Sequence, residues 1–408
     1  MSRKTSLIIL ACSLVIIAAL VSGAVLRAQH PAGNTGPAEQ LGVMAEVYQH
    51  INDDYVVTPN LPKVADGALH GLVDSLDADS SYMNASEYKL FQQDEEHPPA
   101  GHVAAVVSKR VGYADVVDVQ PGGNAANAGL VRGDFVEAID NVGTRDMSLE
   151  EIRRRMEGAI GQSVTLSVVH LHHSDPVQVR IPFAITAPVP LQTSLQKGVG
   201  VIAVPNLYRG RTAQIAKAIA NLKAQGARKF VLDLRNCGAG SYAEAEHTAN
   251  LFLRQGTITY VQGPKYPRLT TAAVASDAVL ATAPLDVLIN AGTYGPAEVA
   301  AAALQQSGRA KLIGDESFGE GSVQKLIPVG DGSALWLTVA RYYTPKGKLV
   351  QDGLTPNIQQ VQYAGALPQL DFPPEGVTGP QTDLQMQKAI ALLSAAPLTA
   401  AAAAGATH

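Results

Sequence analysis

Cysteine is almost missing from this chain: two residues in 408, Cys12 and Cys237, too few and too far apart for a disulfide framework or a cysteine-based zinc site. Charge is thin as well. Charged residues make up 16%, the formal net charge is −5, and no block of lysine and arginine occurs, so nucleic acid is not an expected partner. The histidines are scattered except for His170, His172 and His173. These three lack the cysteine or carboxylate pattern of a metal site and read as an exposed strand edge. No internal repeat is visible, and no motif calls for a metal or a cofactor.

What the chain does have begins at its N-terminus. Arg3 and Lys4 precede an uncharged apolar run from Leu7 to Leu26, long enough to cross a bilayer once as a helix. The basic residues keep this end in the cytoplasm, so the rest of the chain is expected to be exported. Two fates are open for residues 1–28. The small residues Ser22-Gly-Ala24 suit signal-peptidase cleavage, which would release a periplasmic or secreted protein. The length of the run instead favours an uncleaved anchor, with the membrane as partner. A lipid-modified Cys12 is the least favoured alternative, because the apolar run before it is too short. In each case the expected location is the cell envelope.

After this segment the composition divides the chain further. Residues 29–96 read as a polar tether and a helical region, with Val43, Val47 and Ile51 at helical spacing. Within it, Asp77 to Ser81 is turn and N-cap chemistry. Residues 97–185 hold short β-branched runs at Val103–Val107, Ala114–Val119, Phe135–Ile139, Val164–Val169 and Val177–Ile181. One helix is expected after Ser148, with Glu151 completing a capping box. Residues 186–365 alternate strands and helices, an α/β pattern: buried-type strands at Val199–Val204, Phe230–Arg235 and Leu285–Asn290, and helices at Thr212–Gln225, Ala243–Leu253 and Pro296–Gln306. Residues 366–408 read as a C-terminal helix and a disordered tail rich in alanine and glycine.

Asn124-Ala-Ala-Asn-Ala-Gly-Leu-Val-Arg-Gly-Asp134 resembles the Pro-Ala-x-x-Ala-Gly-Leu-x-x-Gly-Asp signature of PDZ domains. Such domains take a protein C-terminus as an added strand, and backbone N–H groups hold the terminal carboxylate. The resemblance puts that loop at Gly101, His102 and Val103. Val103 stands where the family has a glycine, and is expected to crowd the approach.

A second resemblance lies in Asn290-Ala-Gly-Thr-Tyr-Gly-Pro-Ala-Glu298 and Gly314-Asp-Glu-Ser-Phe-Gly-Glu-Gly-Ser-Val-Gln324. Both are similar to the active-site strings of the C-terminal processing peptidases, also called tail-specific proteases. Leu232–Asn236, Leu337–Gly347 and Asp352–Pro356 match in the same order, and the likeness covers roughly residues 40–390. In that family a serine nucleophile opens a helix, a lysine base follows 25 residues later in a Phe-Gly-Lys-Gly turn, and a glutamine four residues on orients the lysine. Here Gly295 holds the serine position, Glu320 the lysine position, and Gln324 is retained. The family's oxyanion turn corresponds to Gly238, Ala239 and Gly240, with Ala239 in place of a glycine.

A serine peptidase needs a hydroxyl nucleophile, a base and N–H donors for the oxyanion. Gly295 has no side chain, and an anion at 320 cannot act as the neutral amine would. A rescue by Thr293, Ser241, Ser317 or Ser322, with Lys325 as a base, would need a hydroxyl and a neutral base within about 3 Å of each other. The resemblance therefore implies a multidomain α/β protein: a helical N-terminal region, a PDZ domain and an α/β processing-peptidase core. The expected role is non-catalytic binding of protein C-termini or unfolded segments in the cell envelope. The alternatives are an active endopeptidase with a displaced nucleophile, cleaving proteins near their C-termini, and a small-ligand binder that reuses the vacated cleft.

Overall fold

The computed structural model describes residues 36–110, 112–363 and 382–395. The N-terminal apolar run and the alanine-rich tail lie outside the described residues, and among those described no helix is long and apolar enough to cross a membrane. The chain divides into two compact units, Met1–Ala68 and Leu69–His408. The first contains α1 (Pro37–Asp54), opened by a proline in its first turn, and the start of α2 (Leu61–Asp74). Val43 and Val47 remain 57% and 52% exposed, so their spacing marks a helix without marking a buried face.

The second unit opens with the remainder of α2, then β1 (Ser81–Met83) and α3 (Ala85–Glu96). Asn84 caps α3 by accepting from the Ser86 and Glu87 N–H groups, and Glu87 returns a bond to the Asn84 N–H. The PDZ portion follows: β2 (Gly101–His102), β3 (Ala105–Arg110), β4 (Tyr113–Val119), α4 (Asn124–Asn127), β5 (Phe135–Ile139), β6 (Val142–Gly143), α5 (Leu149–Arg155), β7 (Glu157–Gly158), β8 (Ser163–Val169) and β9 (Val177–Pro182). One sheet runs β3-β4-β5-β8-β9 and closes over a core that includes Val116, Ile139, Ile152 and Leu166. Two expectations change here. The strand expected over Val103–Val107 is broken at Val103 and Ala104. Ser148 does cap α5, accepting from the Glu151 N–H at 3.1 Å, but the Glu151 carboxylate turns to Arg155 at 2.8 Å instead of closing a capping box.

The α/β portion comprises β10 (Gln192–Gln196), β11 (Val199–Ala203), α6 (Arg211–Ala224), β12 (Lys229–Asp233), α7 (Tyr242–Asn250), β13 (Thr257–Gly263), β14 (Tyr266–Ala272), β15 (Leu285–Ile289), α8 (Pro296–Gln306), β16 (Lys311–Gly314), β17 (Ser322–Pro328), β18 (Ala334–Tyr343), β19 (Ile358–Gln359) and α9 (Leu384–Ala395). Its main sheet has the order β10-β11-β12-β15-β16-β19, parallel except for β10. Helices cover both faces, which is why β12 and β15 read as unbroken apolar runs. On one face α6 presents Ile215, Ile219 and Leu222 at helical spacing, and α8 packs Ala297, Ala300, Ala301 and Leu304, all buried. On the other face α9 lays Ala389, Ile390 and Leu393 over Val201, Val231, Leu288 and Ile313. A second, antiparallel sheet carries β1, β18, β13 and β14, with β17 paired to β18. Its β1–β18 pairing, Ser81 opposite Trp336, draws the Asp77–Tyr82 turn to the start of β17.

Candidate active site

Gly295 sits at the N-cap of α8 with φ 52° and ψ −108°, a conformation that glycine adopts at little cost and other residues do not. Pro296 follows at the first helical position, where a missing N–H loses nothing. The Gly295 N–H donates to Glu298 Oε2 at 2.9 Å. The same carboxylate accepts from the Glu320 N–H at 2.8 Å, from the Gly319 N–H at 2.8 Å, and from the Ser317 hydroxyl. Glu298 is fully buried. Burial pushes its carboxyl up to about 8, against the opposing pull of these four donors. The sequence marks Glu298 as a first-turn acid. Its larger task, tying the helix start to the 317–320 turn, shows only in the fold.

That tie brings Gly295 and Glu320 together. A Cβ placed on Gly295 would lie 3.5 Å from Tyr242 Oη and 3.8 Å from Glu320 Cγ. Glu320 is buried. Its Oε1 accepts from the Ser322 N–H at 2.8 Å and from the Ser322 hydroxyl, and its carboxyl is hydrogen-bonded to that of Asp79. Burial, and then the Asp79 charge, raise the Glu320 carboxyl to about 7. Ser322 Oγ also lies 3.1 Å from Asp79 Oδ2 and accepts from Gln324 Nε2 at 2.7 Å. Arg153 of α5 stands 3.6 Å from Asp79 and 3.4 Å from the Tyr294 hydroxyl. The position of the lysine base is thus filled by a closed polar network.

Asp79 is the residue the sequence reading missed. Turn chemistry absorbs only one of the two acids in Asp77-Ala-Asp79. Asp77 Oδ1 accepts from the Ser80 N–H at 2.7 Å and the Asp79 N–H at 3.1 Å, an Asx turn that leaves the Asp79 side chain to point into the site. The candidate rescue hydroxyls sort cleanly. Thr293 Oγ1 donates to the Leu234 carbonyl at 2.9 Å and accepts from the Asn290 N–H at 3.0 Å. Ser241 caps α7, and Ser317 is held by Glu298 and the Leu354 N–H. Lys325 is exposed. Of these hydroxyls, Ser322 has Glu320 and Asp79 as its carboxyl neighbours.

The turn that the resemblance matches to the family's oxyanion turn follows β12. Asn236 has φ 51° and exchanges hydrogen bonds with Asn290: its N–H donates to Asn290 Oδ1 at 3.1 Å, and its Oδ1 accepts from Asn290 Nδ2 at 3.0 Å. Ala239 gives its carbonyl to the Leu207 N–H at 2.7 Å. A Cβ on Gly240 would come within 2.5 Å of the Leu207 carbonyl oxygen, so this position requires glycine. The Gly238 N–H donates to Asp118 Oδ2 of the PDZ portion at 3.3 Å. Cys237 is buried within the turn, and burial pushes its thiol up, away from the reactive thiolate.

In the PDZ loop the expectation about Val103 needs correcting. Its side chain is 4% exposed and packs into the PDZ core, so it does not crowd the loop. The loop is occupied by its own hydrogen bonds instead. The His102 N–H donates to the Ala184 carbonyl at 3.1 Å, the Val103 N–H to the Met156 carbonyl at 2.8 Å, and the Ala104 N–H to Asn124 Oδ1 at 2.9 Å. Gly101 serves packing: a Cβ there would meet Ile160 at 2.9 Å and Phe183 at 3.0 Å. The histidine cluster is also corrected. His170 Nδ1 bonds Asp134 Oδ1 at 2.9 Å, and the cluster lies beyond the end of β8, not on a strand edge.

The Glu320 environment carries a pH dependence of defined sign. Its folded carboxyl titrates higher than an ordinary glutamate, so folding favours the protonated form. The stability linked to it is complete at low pH and is lost as pH rises from about 4.5 towards 7. Glu320→Gln should therefore unfold like the parent near pH 4.5 and be the more stable of the two at pH 8. Paired denaturant titrations across this range check it, and a difference that does not vary with pH would refute the sign.

These features, a nucleophile-position helix start facing a base-position turn on an α/β core with a PDZ portion, define a serine-peptidase scaffold. The Peptidase family S41 model matches residues 198–360, and a PDZ domain model matches residues 116–169. The chain is 30% identical to a carboxy-terminal-processing protease of Bartonella bacilliformis over 78% of this chain and 75% of that protein. It is 33% identical to a carboxyl-terminal-processing protease of Picosynechococcus sp. over 71% and 68%. A solved structure of the photosystem II D1 C-terminal processing protease shares the fold, with a TM-score of 0.64, 22% identity, and 78% of this chain covered against 92% of that one. The chain belongs to the C-terminal processing peptidase family.

Proposed function

We propose that this protein is a non-catalytic member of its family, exported to the cell envelope, where it binds protein C-termini or unfolded segments. The observation that carries the reading is the pairing of Gly295 with Glu320. Residue 295, at the family's nucleophile position, carries no hydroxyl, and the group facing it is a carboxyl locked to Asp79 and Ser322. A glycine cannot form an acyl intermediate. The exported region should neither cleave unstructured peptides with apolar C-termini nor become labelled by a fluorophosphonate probe, while peptides of this class still bind.

A second reading, an endopeptidase with a displaced nucleophile, is favoured by one contact: Ser322 Oγ bonded to Glu320, itself bonded to Asp79. That is the order of nucleophile, base and orienting group. Against it, Ser322 is buried and its oxygen already accepts from Gln324. Probe labelling at Ser322, abolished together with turnover in Ser322→Ala, would establish the second reading and overturn the first.

A further inference from the structure

If C-terminal segments bind here, their carboxylate needs a receiving site, and in the PDZ loop the N–H groups of His102, Val103 and Ala104 are each bonded within the domain. The 236–240 turn offers one. Its Gly238 N–H already holds a carboxylate, that of Asp118, at 3.3 Å. The Arg132 side chain lies against the same turn: a Cβ on Gly292 would be 3.0 Å from Arg132 Cδ and 2.7 Å from Asn236 Oδ1. The Arg132 charge acts on the Asp118 carboxyl. A backbone N–H bonded to a carboxylate, with a guanidinium charge close enough to favour its ionised form, is an arrangement by which proteins hold such groups.

The surroundings fit a ligand end. Asp118, Arg132 and Asn236 line a cleft of about 390 Å³ whose walls include Val131, Pro190 and Pro205. Ligand-sized clefts run from about 300 to 1,000 Å³ and combine apolar walls with a few fixed polar groups. Asp118 itself is held at a cost. Burial raises its carboxyl to about 7, although the Gly238 N–H and Arg132 both favour the charged form. An incoming carboxylate can take the Gly238 N–H in place of Asp118 and meet the same Arg132 charge.

We propose that the 236–240 turn and Arg132 form a carboxylate site that takes the free C-terminus of a peptide lying in this cleft, and that Asp118 is its internal occupant when no peptide is bound. The inference rests on the peptide-binding reading above and names the chemical group recognised. Because Asp118 competes from within the same chain, the parent binds weakly, its affinity reduced by the fraction of time the site is vacated.

The test uses the full exported region and two decapeptides ending in Ala-Ala, identical except that one has a free carboxylate and the other a carboxamide. Each carries a photo-reactive group near its C-terminus. The parent should bind the acid weakly. Asp118→Ala should bind it about tenfold more tightly with the amide unchanged, and crosslinks should map to the 236–240 turn. Arg132→Gln in the Asp118→Ala background should remove the gain. Should Asp118→Ala fail to fold, Asp118→Asn, which removes the charge but keeps the shape, is read in its place with the same sign. Equal binding of acid and amide in every variant overturns the carboxylate site and leaves the binding function standing. Crosslinks at residues 102–104 overturn it in favour of the PDZ loop. Failure of both peptides to bind any variant overturns this inference together with the binding reading.

Discussion

Glu298→Ala should cost this protein most of its stability. The carboxylate is fully buried and receives the N–H groups of Gly295, Gly319 and Glu320 together with the Ser317 hydroxyl. Removing it strands three backbone donors where water does not reach, and each buried unsatisfied donor costs about 1–3 kcal/mol. It also leaves a hole beneath the start of α8. The sum is several kcal/mol in a domain whose whole stability is on the order of 5–15 kcal/mol. Glu298→Gln retains one accepting oxygen but turns an NH₂ group towards donors, so it should fall between the parent and the alanine variant. Urea unfolding followed by circular dichroism measures the order. An alanine variant with the parent's midpoint would show that the 317–320 turn finds other partners, and that Glu298 does not hold the site together.

How far the sequence carries the reading depends on where each partner lies along the chain. The core strands β11, β12 and β15 are legible because burial on both faces forces unbroken apolar runs, and α8 is legible from a proline start and an alanine-rich face. The opposed positions 295 and 320 follow from the resemblance to the processing peptidases, whose nucleophile and base stand 25 residues apart in strings matched by Asn290–Glu298 and Gly314–Gln324. Strands β13 and β14 are not legible as buried elements: Thr257-Ile-Thr-Tyr-Val-Gln-Gly263 alternates with polar residues, and Tyr266–Ala272 is largely exposed. The less legible part of the site consists of residues far apart in sequence. Asp79 enters through a turn whose Ser80 hydroxyl meets Thr338, 258 positions away. Asp118 reaches Gly238 across 120 positions. Closure of the PDZ loop depends on Met156 and Asn124, neither of which a loop pattern records.

Restoring the family's chemistry should therefore take more than the two missing residues. Gly295→Ser has room, since its Cβ would lie in ordinary contact with Tyr242 and Glu320. Its positive φ adds strain of about 1–3 kcal/mol, of the kind active sites tolerate. Glu320→Lys places an amine where Gln324 stands two residues beyond Ser322. Asp79 faces that position, and a carboxylate beside a lysine stabilises the ammonium, which is the wrong form for a base. The double variant should thus show at most trace cleavage, and each single change none, because nucleophile and base act only as a unit. Adding Asp79→Asn removes the opposing charge and should raise the rate about tenfold or more. Adding Asp118→Ala then frees the Gly238 N–H for the oxyanion; a single such donor is worth about 10²–10³ in turnover. Fluorogenic peptide turnover and burst acylation by a serine-directed probe measure each step. If the folded quadruple variant neither acylates nor cleaves, the cleft has diverged from the family's beyond these four positions.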